Sequence, residues 1–135
     1  MLTPLELAQA MFARIDAGDW PGVAALMTED YVIHEPPVLP YGGDWNGQDA
    51  LPRLFAHVMG YWDDPVVERR GLMGDEQHFV ALLSFTMTSK LTGRRFTQPI
   101  AEVTRCEGGK MVETWVHYFD ADEAAREAGP RRAEG

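Results

Sequence analysis

At Asp63-Asp64-Pro65 the pattern of apolar residues changes from a helical period to a two-residue alternation. Beyond it, Val66–Leu72, Gln77–Lys90, Arg94–Glu107 and Met111–Phe119 read as four strands. Gly74-Asp75, Thr92-Gly93 and Gly108-Gly109 separate them as turns. Such a run of adjacent strands can only pair as hairpins, so the second half of the chain must build an antiparallel meander. Two of the strands are long, and long strands curl because twist accumulates along a sheet.

The first half supplies what covers that sheet. Thr3-Pro4-Leu5-Glu6 is a capping box with proline at the first helical position, which starts a helix over 3–17. Leu5, Ala8, Phe12 and Ile15 form its apolar face, and Gly18 ends it. Asp19 caps a second short helix over 20–27, and Asn46 a third over 47–62. Leu51, Leu54, Phe55, Val58 and Trp62 mark the buried stripe of the third. A short strand over 31–35 lies between these helices, so the sheet spans 31–35 and 66–119. Asp120 with Glu123 opens a helix over 121–128, and Gly129-Pro130 stops it before a tail at 130–135. This is one α+β domain, 1–135: a curved antiparallel sheet wrapped around N-terminal helices, forming a cone with an internal cavity.

A net charge of −9 leaves no basic face for nucleic acid and disfavours anionic substrates. No apolar run approaches a membrane span, and the start of the chain lacks a signal-peptide pattern. The one cysteine, Cys106, has no partner and suits a reducing, cytoplasmic setting. Neither HxH nor HExxH spacing occurs, so no metal is expected. GxSxG, P-loop and GxGxxG patterns are also missing, and no cofactor is expected.

The chemistry concentrates where Tyr31-Val32-Ile33-His34-Glu35-Pro36 delivers an imidazole and a carboxylate to a strand end stopped by proline. The glycine-rich loop Pro40-Tyr41-Gly42-Gly43-Asp44-Trp45 follows and has the composition of a pocket mouth. In an apolar mouth the Glu35 carboxyl would hold its proton to higher pH, as a base working near neutrality requires. His34 and Glu35 are neighbours on a strand, so only one of them faces the interior.

This order of elements resembles the polyketide-cyclase (SnoaL-like) branch of the nuclear-transport-factor-two-like, ketosteroid-isomerase-like superfamily, over roughly residues 3–129. Glu35-Pro36 resembles the Asp-Pro that carries the general base of ketosteroid isomerase. Pro40-Tyr41-Gly42-Gly43…Gly47 resembles the loop before the third helix of many SnoaL-like proteins. Gly109-Lys110-Met111-Val112-Glu113-Thr114-Trp115 resembles the family's Gly-Lys-Ile-x-Glu-x-Trp strand. The resemblance implies a homodimer and a small, mostly apolar ligand in the cone. It also implies a catalytic acid near the end of the last strand. Asp120 matches that place by distance, but it fits better as a helix N-cap. A fold of this kind does not name a reaction.

A two-residue turn at Gly108-Gly109 pairs Cys106 with Met111, Thr104 with Glu113, Glu102 with Trp115 and Ile100 with His117. One face then gathers Gln98, Glu102, Trp115 and His117, as a cavity lining or as a dimer face. Glu35, His117 and, with the facing reversed, His34 are the candidate catalytic residues. Tyr41, Trp45, Gln98, Glu102 and Trp115 are the candidate ligand contacts, with flat rings for an apolar ligand. The leading expectation is an enzyme catalysing isomerisation, cyclisation or dehydration of a mostly apolar oxygenated ring compound. The alternatives are a non-catalytic binding domain and a dimeric interaction module.

Overall fold

The computed structural model describes residues 1–132. Helix α1 (Pro4–Asp16) begins with the full capping box. The Thr3 hydroxyl accepts the Glu6 amide at 3.2 Å, and the Glu6 carboxylate accepts the Thr3 amide at 3.0 Å. Leu7, Ala8 and Met11 on its inner side are buried. Helix α2 (Trp20–Ala24) is capped by Asp19, which accepts the Gly22 amide at 2.9 Å. Then come β1 (Met27–Glu35), β2 (Gly43–Asn46), α3 (Ala50–Val58) and β3 (Trp62–Gly74). β4 (His78–Ser89), β5 (Arg95–Glu107), β6 (Lys110–Tyr118) and α4 (Ala121–Ala128) complete the chain.

The strands form one sheet in the order β2-β1-β6-β5-β4-β3. Contiguous strands β3 to β6 pair antiparallel as hairpins, and β2 pairs antiparallel with β1. β1 and β6 run parallel, the one parallel pair in a sheet that is otherwise antiparallel as expected. A parallel neighbour needs a long crossover, and the whole stretch from β2 to β5 provides it. The helices cover the concave face, where Leu7 and Met11 join Tyr31, Ile33, Phe79 and Phe85 in one core. At the β3 edge Arg69 holds α1, with its guanidinium 4.3 Å from the Phe12 ring centre and two hydrogen bonds to Asp16.

Three boundaries differ from the sequence pattern because strand pairing overrides local periodicity. β1 starts at Met27, where it pairs with Met111, so the second helix ends at Ala24. Asn46 belongs to β2 and pairs with Val32, so Asp49, and not Asn46, precedes the third helix. That helix ends at Val58, because Trp62 is already paired with Ser89. Part of the tail over 130–135 is tied down: the Arg132 amide donates to the Tyr61 hydroxyl at 2.7 Å. Residues 133–135 lie outside the described residues.

The most consequential difference is a bulge. Cys106 pairs with Met111, but Arg105 pairs with Glu113, leaving Val112 as the extra residue on β6. From there the pairs are Thr104 with Thr114, Val103 with Trp115, Glu102 with Val116, Ala101 with His117 and Ile100 with Tyr118. The expected pairings of Thr104, Glu102 and Ile100 are therefore each displaced by one. Because side chains alternate, every β6 residue beyond the bulge changes face.

Candidate active site

The inner face of the sheet brings together Glu35, Tyr41, Glu102 and Tyr118. Glu35 ends β1, two residues beyond the buried Ile33 and four beyond the buried Tyr31, so alternation carries it inward. Only 6% of it is exposed, and its Oε1 is buried without a hydrogen-bond partner among the described residues. Burial first, and the nearby Glu102 charge second, hold its proton well above the usual carboxylate range.

Tyr41 reaches the same place from the loop 36–42. Its hydroxyl lies 2.8 Å from that of Tyr118, and burial pushes the ionisation of both tyrosines upward. The loop achieves this by folding tightly on itself. The Gly42 amide donates to the Leu39 carbonyl, and the Leu39 amide donates to the Pro36 carbonyl. A Cβ on Gly42 would stand 2.2 Å from the Pro36 carbonyl oxygen, so only glycine fits. Trp62, at the start of β3, is also fully enclosed beside the Tyr41 hydroxyl, and its indole N–H completes no hydrogen bond among the described residues.

Glu102 sits mid-sheet between Ala81 of β4 and Val116 of β6. Burial alone raises its carboxyl to about 7. No hydrogen bond reaches that carboxyl among the described residues. It nonetheless keeps partial solvent access, unlike its fully buried neighbours Ala81 and Thr104. A central, inward-facing position stays accessible only where the concavity above it is open. Farther along, the Tyr31 hydroxyl meets Thr114 at 2.6 Å and Thr114 meets Thr104 at 2.8 Å, a closed chain of hydroxyls. Two surface clefts of about 540 and 650 Å³, at Met1–Pro4 with Cys106–Gly109 and at Met27–Asp30 with Lys110, contain none of these residues.

The bulge sends His117 and Trp115 to the convex face, and the alternation of β1 puts His34 there too. His117 is exposed opposite Ala101. Trp115 stacks on His34, with ring centres 5.5 Å apart. His34 is clamped between Asp44 on β2 (2.7 Å) and Glu113 on β6 (2.9 Å). Although burial opposes it, the hydrogen bonds that the ring donates to Glu113 and Asp44 favour the imidazolium. His34 thus pins β2 to β6 and does not meet Glu35. Gln98 points inward, but its amide is consumed by α4: its oxygen accepts the Asp120 amide at 2.9 Å and its nitrogen donates to Glu123 at 2.8 Å. Asp120 itself accepts the Glu123 amide at 3.1 Å and is the helix cap. Trp45 donates its indole N–H to the Tyr41 carbonyl at 3.0 Å and so supports the loop from outside.

Tyr118 and Trp62 are the site members that sequence reasoning assigned elsewhere. The signal for Tyr118 was the adjacent apolar pair Met111-Val112, which breaks the alternation where the bulge sits. Among the described residues no cluster of metal-ligating side chains forms, and no helix is long and apolar enough to cross a membrane. The cluster can therefore offer a ligand two carboxyls of unequal acidity, hydroxyl donors and an apolar surround.

Comparison with curated protein sequences finds no match. Among solved structures, an NTF2-like protein of unknown function from Burkholderia pseudomallei is 24% identical, with 95% of this chain and 98% of that one covered at a TM-score of 0.77. TerC, co-crystallised with polyporic acid, is 18% identical over 93% of this chain and 98% of that one, with a TM-score of 0.74. IdmH, a candidate polyketide cyclase from Streptomyces antibioticus, is 15% identical over 94% and 98%, with a TM-score of 0.68. These likenesses show the cone-shaped fold. The SnoaL-like domain model matches residues 8–114. The chain belongs to the SnoaL-like family and has the NTF2-like fold.

Proposed function

We propose that the protein is an enzyme that moves protons within a mostly apolar, oxygenated ring compound held in the concavity, by isomerisation, cyclisation or dehydration. The observation that carries this is Glu35: a carboxyl 94% buried, with an unpartnered oxygen, beside a Tyr41–Tyr118 hydroxyl pair. Folding gains nothing from such a group, since a buried unpaired polar atom costs about 1–3 kcal/mol. A ligand oxygen or an activated C–H brought to it would use that capacity. The neighbouring tyrosine hydroxyls supply a hydrogen-bond donor for charge that develops on a carbonyl oxygen. The aromatic, acidic interior suits a ligand without negative charge. TerC, of the same fold, was co-crystallised with polyporic acid, which supports a small-molecule ligand here.

The test is a thermal-shift screen against steroids, aromatic polyketides, terpenoid epoxides and hydroxylated aromatics, with turnover assays on each hit. A bound ligand raises the melting temperature by mass action. Conversion by the wild type but not by Glu35→Gln, with binding retained, supports the reading. Binding without conversion by either favours a binding domain.

We also propose a homodimer joined through the convex face of the sheet, in a reducing, cytoplasmic setting suited to the buried thiol of Cys106. Val66 at 46%, Met73 at 50% and Leu82 at 37% exposure leave an apolar surface on β3 and β4 that supports this assembly. Light scattering of the wild type against Leu82→Glu tests it, and an unchanged mass in both refutes it.

A further inference from the structure

Resting on the proton-transfer reading above, we propose that Glu102 is the carboxylate that takes the substrate proton and Glu35 the carboxylic acid that gives one. The Glu35-Pro36 step marks Glu35 as the base by position in the chain. The geometry points the other way. Glu35 is sealed at the end of β1, and its Oε1 receives no donor. An ionised carboxylate in that place would lack both solvent and hydrogen bonds, the two things that stabilise its charge. Glu102 keeps contact with solvent at the centre of the inner face, so it can shed a proton and meet a ligand.

Burial raises both carboxyls, and a charge on either one opposes ionisation of the other, so the first to ionise keeps its neighbour neutral. The surroundings do not reverse the order. Tyr31 of β1, Tyr118 of β6 and Tyr41 of the loop face the pair, and all three are held neutral by burial. Cys106, farther along β5, is likewise pushed up to about 11. From above, α1 presents Leu7, Ala8 and Met11. The nearest-facing cation of β3, Arg69, is already paired with Asp16. α4 directs Glu123 to Gln98 and Arg94.

The division of labour balances. Glu102 removes a proton from a C–H beside an electron-withdrawing group, and the C–H electron pair forms a new π bond. The displaced electron pair ends on a leaving oxygen or a distant carbon, which receives the Glu35 proton. Glu102 is then protonated and Glu35 ionised, and one proton passed back from Glu102 to Glu35 resets the pair. One neutral acid and one carboxylate side by side are what a concerted transfer at two substrate positions needs.

The experiment uses the full chain and two readouts. Side-chain ¹³C NMR titration of glutamate-labelled wild type, Glu35→Gln and Glu102→Gln gives the order of ionisation without any ligand. In the wild type the Glu102 carboxyl should ionise first, and Glu102→Gln should lower the midpoint of Glu35. The second readout is ring opening of 5-nitrobenzisoxazole, in which a base removes the C3 proton, a nitrile forms and the N–O bond breaks. Its nitrophenoxide leaves without acid assistance, whereas unsubstituted benzisoxazole needs a proton on the departing oxygen. Glu102→Gln should lose about 10²-fold or more on both probes. Glu35→Gln should lose about tenfold more on the unsubstituted compound than on the nitro compound. Earlier ionisation of Glu35, or the reverse pattern of losses, overturns the assignment of roles while leaving proton transfer in the cone intact. Absence of wild-type ring opening above that of carboxylate buffer, whatever the titration order, overturns both.

Discussion

Replacing Glu102 by glutamine is expected to stabilise the protein in alkali and leave it unchanged in acid. The folded chain holds the Glu102 proton up to about 7, whereas the ordinary value is 4.5. Between those values the folded state binds more protons than the unfolded one, so stability falls as pH rises through that window. Above it the full difference, about 2.5 pH units at 1.36 kcal/mol each, amounts to about 3 kcal/mol. Glutamine resembles the neutral acid in shape and cannot ionise. At pH 4.5 the variant and wild type should therefore match. At pH 8.5 the variant should be more stable by about 3 kcal/mol, or about 10 °C in melting temperature. Urea unfolding at closely spaced pH values measures this directly. Superimposable stability curves from pH 4.5 to 8.5, or a variant that loses stability in alkali, would refute the account of Glu102 as a desolvated carboxyl.

Other perturbations test other parts of the structure. Glu35→Gln should reduce turnover of a substrate that needs acid assistance by about tenfold or more, with unchanged circular dichroism and a melting temperature at pH 7 no lower than that of the wild type. Gly42→Ala places a methyl 2.2 Å from the Pro36 carbonyl oxygen. It should cost about 1–3 kcal/mol in chemical unfolding and withdraw Tyr41 from Tyr118. Tyr118→Phe strands the buried Tyr41 hydroxyl and should cost about 1–3 kcal/mol in the same assay. For the half-exposed His34 clamp, the folded imidazole keeps its proton to higher pH than the unfolded one. Its contribution, about 1 kcal/mol after solvent screening, should be fully present below about pH 6.5 and fade as pH rises through the folded value. A His34→Ala variant whose deficit grows with pH would contradict it.

Local chemistry made much of this fold readable. Thr3-Pro4-Leu5-Glu6 is a capping box in sequence and in space because its bonds join residues three apart. The same holds for Asp19 before α2 and Asp120 before α4. The glycine turns divide the meander because few other residues tolerate their backbone angles. The inward facing of Glu35, Glu102 and Gln98 follows from the two-residue alternation of β1 and β5. Legibility failed where distant pairing set the outcome. Asn46 looks like a cap and Trp62 like the end of a helical stripe, yet both are strand residues, held by Val32 and Ser89. Gln98 looks like a ligand contact, yet both ends of its amide are taken by a helix that lies far along the chain.

The amino-acid sequence by itself determined the division into helices and meander, the caps, the turns and the carboxyl at the end of β1. All of these are set by neighbours within a few residues. Only the tertiary structure decided which residues share the concavity. One extra residue at Val112 moved Trp115 and His117 outward and Tyr118 inward. It also left His34 to bind Asp44 and Glu113 on the far side of the sheet. A bulge answers to the strand it faces, not to its own neighbours, so its effect on every later side chain is settled only when β5 and β6 meet.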